Sequence, residues 1–189
     1  MQPKRRQREF EWKPGRFKAV VLYVAEQLRD DPTFGSTKLN KILYFSDTDA
    51  YRELGEPITG AVYQRNRYGP TAVEYPPMID EMQGQELISV KREKIIDHEQ
   101  DKITPTDKFR LDLGLGPRQK ALLDARIEEF RGYTNLEASD RSHEQSAGWL
   151  VFDPGETIPY RTSLVSPEPE DVPDSVISYF DQLEEREAS

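Results

Sequence analysis

Cysteine is missing from the whole 189-residue chain. That excludes disulfides, thiolate metal sites and cysteine nucleophiles together, and it fits a reducing cytoplasm. Long apolar runs are missing too: no stretch approaches the roughly 18 residues that span a bilayer. The basic opening, residues 1–10, has no apolar segment behind it of the kind a secretory signal needs. The expectation is a soluble, cytoplasmic protein with no membrane partner. Positive charge is in the minority, with 26 Lys and Arg against 35 Asp and Glu and a net charge of -9. Such a chain repels nucleic acid overall, which argues against it as a partner and leaves contact only to a local basic patch.

The groups that carry chemistry are equally sparse. There are two histidines. His98 lies in Ile96-Asp97-His98-Glu99-Gln100-Asp101, where a divalent metal would need more ligands at regular spacing; the run reads as a solvated turn. His143 sits in Asp140-Arg141-Ser142-His143-Glu144, but neighbours on a helix point about 100° apart and do not converge as a triad. It reads as a packed, hydrogen-bonded side chain. No Gly-x-Ser-x-Gly elbow and no Walker loop is present, and Gly114-Leu115-Gly116 lacks the rest of a dinucleotide fingerprint. Asp47 and Asp49, two apart on a helix, diverge. No catalytic residue, cofactor site or metal site is expected, and the chain reads as a binding protein, not an enzyme.

What is present is helical patterning. Phe17, Val20, Val21, Val24 and Leu28 repeat as one helical face that stops before Pro32. Leu39, Ile42, Leu43, Ser46, Ala50 and Leu54 mark a second helix, capped by Ser36 or Thr37 and closed by Gly55. Residues 58–67 read as a strand, and 75–82 as a short helix with prolines in its first turn. Residues 87–91 and 94–97 suggest a hairpin or wing, and 103–110 a further extended piece. Pro117 opens a helix with Leu123, Ile127 and Phe130 inward, ended by Gly132. Thr134 and Glu137 form a capping box for the next, with Leu136, Ser139, His143, Ala147 and Leu150 along one side. Residues 157–164 read as extended. The fold class is α+β and mainly α-helical, a compact helical domain with a small antiparallel β-sheet or wing. Residues 1–13 read as a flexible basic arm, 14–165 as the domain, and 166–189 as an acidic, proline-bearing linker. That linker leads to a possible helix from Asp174 with Val176, Ile177, Phe180 and Leu183 on one stripe.

Tyrosines 44, 51, 63, 68 and 75 interleave with Arg52, Arg65 and Arg67, a mixture enriched at protein–protein hot spots. Several of these residues fall in a recognisable order. The run Lys38-Leu39-Asn40-Lys41-Ile42-Leu43-Tyr44-Phe45-Ser46-Asp47 is followed by Tyr51, Gly55-Glu56-Pro57-Ile58-Thr59-Gly60 and Tyr68-Gly69-Pro70. Ser142-His143, Trp149 and Ile158-Pro159-Tyr160 come later. In combination this resembles the Panacea domain of SocA-like antitoxins, over roughly residues 15–165. The resemblance implies a helical domain with a small β element. It further implies an antitoxin of a bacterial or phage toxin–antitoxin system that neutralises a cognate toxin by direct binding, or an adaptor delivering it to a host protease. The partner-binding residues it points to are Tyr44, Asp47, Tyr51, Tyr68, His143 and Trp149, with Gly69 and Pro70 architectural, and the tyrosine–arginine mixture adds Arg65 to the expected contact residues. Tyr44 and Asp47, three apart on one helix, are expected to present a polar patch. The competing reading is a winged-helix-like DNA-binding regulator, with the second helix in the major groove and the Lys4–Arg8 arm in the minor groove.

Overall fold

The computed structural model describes residues 8–95, 98–106 and 114–165, and of Ile95, His98 and Glu99 the backbone only. In chain order the elements are α1 (Pro14–Gln27), α2 (Ser36–Leu54), β1 (Tyr63–Asn66), β2 (Gly69–Ala72), α3 (Tyr75–Gly84), β3 (Ile88–Ile95) and β4 (His98–Pro105). They continue with α4 (Pro117–Phe130), α5 (Asn135–Gln145), α6 (Ala147–Val151), β5 (Thr157–Ile158) and a 3-10 helix, Tyr160–Leu164. This is the mainly helical α+β fold expected. Prolines stand in the first turns of α1, α3 and α4, where a missing N–H costs nothing.

Helix α2 is the axis, with α1, α4, α5, β2 and the 3-10 helix packed around it. Every residue from Lys38 to Ala50 is buried, polar ones included. The α1 stripe of Phe17, Val20, Val21, Val24 and Leu28 is also fully buried. Each such side chain contributes about 1.5–3 kcal/mol of transfer free energy. Two small antiparallel sheets flank this core, one ordered β2-β1-β5 and the other the hairpin β3-β4. Ile88 and Ile103, buried at the base of the hairpin, root it in the core.

Several local expectations change. The strand expected over 58–67 shrinks to β1, because the N–H groups before it are taken by side chains. Asp47 accepts from Thr59 N at 2.8 Å, and Glu74 from Val62 N at 3.0 Å. Gly69-Pro70 does not end the sheet but opens β2, with Asn66 paired to Gly69 across a two-residue turn. The extended pieces expected between 87 and 110 resolve into one hairpin, Ile103 lying within β4; residues 107–110 lie outside the described region. The N-cap of α2 is Gly35, not Ser36 or Thr37. Beyond Ile158 the chain winds into the 3-10 helix instead of continuing extended. There the hydroxyls of Thr162 and Ser163 donate to the carbonyls of Pro159 and Tyr160 at 2.7 and 2.8 Å.

The expected side of the fifth helix also differs. Ala138, Ser139 and Ser142 face inward, whereas Leu136 and Leu150 are 69% and 52% exposed. The helix breaks at Ser146, whose extended backbone lets its hydroxyl cap α6 at Trp149 N, 3.1 Å away.

Residues 8–13, expected within the flexible arm, pack on the domain. Phe10 meets Tyr51 and Tyr160 edge-on at 5.5 and 5.3 Å, Trp12 lies 5.2 Å from Phe17, and Lys13 N donates to Thr59 O at 2.9 Å. Gly60 makes room for them: with φ at +69°, a β-carbon there would strike the backbone of Glu11. The acidic segment 166–189, with its expected helix, lies outside the described residues.

Candidate functional site

The seven expected contact residues separate into a buried group and a surface group. Asp47 is fully buried on α2 and does not present a patch. It accepts from Thr59 N, the Thr59 hydroxyl, Tyr63 OH at 2.9 Å and Tyr160 OH at 3.2 Å. The Tyr160 proton has a nearer acceptor in Ala61 O at 2.7 Å. Burial pushes the Asp47 carboxyl above its usual range against the pull of these donors, and burial together with Asp47 pushes Tyr63 well above 10. Asp47 therefore ties α2 to the segment before β1 and to the 3-10 helix. Sequence spacing showed Tyr44 and Asp47 sharing a face but not that other elements cover it.

Tyr44, also buried, exchanges a hydrogen bond with Ser146 Oγ at 2.8 Å, and burial raises its phenol to about 12. Since Ser146 caps α6, Tyr44 holds from below the helix that carries Trp149. There Arg65, His143 and Trp149 come together. The His143 ring stacks on Trp149 with centroids 3.5 Å apart and planes at 12°. The Arg65 guanidinium lies 4.5 Å from the Trp149 ring, and its Nε donates to Trp149 O at 2.8 Å. Trp149 Nε1 donates to Asn66 O at 2.8 Å, so the cluster joins β1 to α5 and α6. All three side chains are part-exposed. Tyr68, at the tip of the same β1–β2 hairpin, is 58% exposed beneath the Arg67 guanidinium. Tyr51 is apart from them, packed on Phe10 and Tyr160. His143 is held below its ordinary value by burial first and then by the charges of Lys41 and Arg65, against Asp140.

The motif's two lysines are both interior. Lys38 pairs with Asp31 at 2.7 Å and donates to the Thr33 hydroxyl at 2.8 Å. Burial lowers the Lys38 ammonium. Burial also opposes ionisation of Asp31, yet the donors Lys38, Thr33 and Gly132 outweigh it and hold that carboxyl low. Lys41 donates to Pro70 O at 3.0 Å and, among the described residues, has no carboxylate partner. Burial brings it down to about 7. Gly69 lets Lys41 through: a β-carbon there would lie 2.7 Å from Lys41 Nζ and would overlap Ser142 Oγ. Its φ of +99° is a second reason for glycine.

Sequence reasoning missed a groove of about 1170 Å³ beside this cluster, between α2, α4, α5 and the 3-10 helix. Its charged wall includes Arg126, which grips Asp49 through two nitrogens at 2.5 and 2.9 Å. The exposed Leu150 and Leu164 stand on its rim. Leu150 was visible in the sequence, but reading α5 and α6 as one helix turned it inward.

Among the described residues no group of three His, Asp or Glu is placed to hold a metal ion, and no helix is long and apolar enough to cross a membrane. The side chain of His98 is outside that statement. Helix α2, the recognition element of the DNA-binding reading, is buried along Lys38–Ala50 and has no face there for base edges.

Fold and site together define a small mixed domain whose motif residues mostly lock one buried helix to its surroundings and leave an aromatic–arginine edge outside. A family model, Antitoxin SocA-like, Panacea domain, matches residues 39–150. The chain belongs to that family. No curated protein matches the sequence.

Proposed function

We propose that the chain is the antitoxin of a toxin–antitoxin pair and neutralises its cognate toxin by direct protein–protein contact. The carrying observation is the family match from α2 to α6, the span that holds both the buried motif and the Arg65–His143–Trp149 stack. Large, amphipathic and part-exposed, these side chains are of the kind that anchors protein interfaces. On this reading Arg65, Tyr68, His143 and Trp149 touch the toxin, while Tyr44, Asp47 and Tyr51 hold the surface in place.

The test is co-expression with the product of the neighbouring reading frame. That product should arrest growth alone, be harmless with this chain, and co-purify with it. Trp149→Ala should weaken co-purification at least tenfold, the effect of an interface anchor worth about 2 kcal/mol, while circular dichroism stays unchanged. A neighbour that forms no complex removes the proposal. Toxin abundance separates two modes: a steady level means occlusion, and a protease-dependent fall means delivery for degradation.

A further inference from the structure

We propose that the acidic segment 166–189 docks back, within the same molecule, into the groove between α2, α4, α5 and the 3-10 helix. The groove leaves apolar surface in water. Leu150 and Leu164 on its rim are 52% and 62% exposed, and Val151, next to Leu150, is 74% exposed. Contiguous patches of this kind mark contact sites. Val165 lines the same groove, so the segment leaves directly from its wall.

The sequence of that segment carries apolar residues to match. Val176, Ile177, Phe180 and Leu183 fall at the spacing of one helical stripe. Residues 166–175 separate that stripe from Val165, a tether that reaches roughly 33 Å when extended and so covers the groove. Such a short tether gives the stripe an effective concentration of about 1 mM. A contact with a separate Kd of only ~0.1 mM is then filled about ten times more often than it is empty.

Charge sets the orientation more than the strength. Arg52, Arg126 and Arg141 in the groove are matched in number by Asp49, Glu53 and Glu144. Arg126 takes both Asp49 oxygens, leaving Arg52 at 3.7 Å from Asp49 with its side chain 44% exposed. Arg52, and Arg141, which is 40% exposed and already pairs with Glu129 at 3.1 Å and Glu144 at 3.7 Å, line the groove where Asp174, Asp181 or Glu184 of the segment would add a further carboxylate. The proposal holds whether or not the chain is an antitoxin.

Because the chain has no cysteine, Ser178→Cys places one nitroxide label in the full-length protein. Docking predicts that the amide signals of Arg52 and Arg141 broaden strongly while that of Val90, in the β3–β4 hairpin, does not. Adding Phe180→Ala should restore them. Broadening spread evenly over all faces, or unchanged by Phe180→Ala, overturns the proposal. So does broadening of an isotope-labelled copy by a separate spin-labelled copy, which would seat a second molecule in the groove.

Discussion

At the scale of single residues, polar side chains inside α2 set the terms. Asp47→Ala leaves Thr59 N and the Tyr63 hydroxyl buried without their acceptor, each costing about 1–3 kcal/mol. Denaturant unfolding should show a loss of about 3 kcal/mol. Lys41 behaves in the opposite sense. Its folded value of about 7 lies below the ordinary 10.5, so the unfolded chain holds the extra proton between these values. Stability from this group is therefore full above about 10.5 and is lost as pH falls through 7. Lys41→Met should raise the melting temperature at pH 6 and raise it less at pH 9, since replacing a buried ammonium that has no carboxylate partner among the described residues with an apolar chain removes a desolvation penalty. His143 has the same sign over a lower window. Its ring should titrate in nuclear magnetic resonance with a midpoint below about 6.5, and the stability it supports should decline as pH drops through that midpoint.

At the scale of elements, turns and caps decide how helices and strands meet. Gly69 and Gly55 both have positive φ, +99° and +83°, but only Gly69 is crowded. Gly55→Ala should cost about 1 kcal/mol from backbone strain alone. Gly69→Ala should cost clearly more, because the methyl also displaces Lys41 and Ser142; thermal unfolding of the two variants side by side checks the order. The element pattern was legible wherever apolar spacing was regular. Phe17 to Leu28, Leu123 to Phe130 and the Thr134–Glu137 box all stand where periodicity and capping chemistry put them. It was not legible at Ser146, where one serine splits a helix in two, nor around Thr59 and Val62, whose N–H groups bond to side chains distant in sequence.

At the scale of the whole molecule, a contact function is compatible with an interior this polar because Lys38, Lys41 and Asp47 face inward as braces and a separate edge faces water. Composition, periodicity and motif order by themselves determined the helical class, most helix positions and the family, since each depends on local spacing along the chain. They also singled out Arg65, His143 and Trp149. Only the tertiary structure decided that these three stack on one another, that Asp47 and Tyr44 lie beneath the surface, that residues 8–13 pack on the domain, and that a groove opens beside Leu150. The physical reason is that burial and hydrogen-bond partnership are set by segments far apart in the chain. Asp47 meets Tyr160, and Tyr44 meets Ser146, only after the chain has closed around α2.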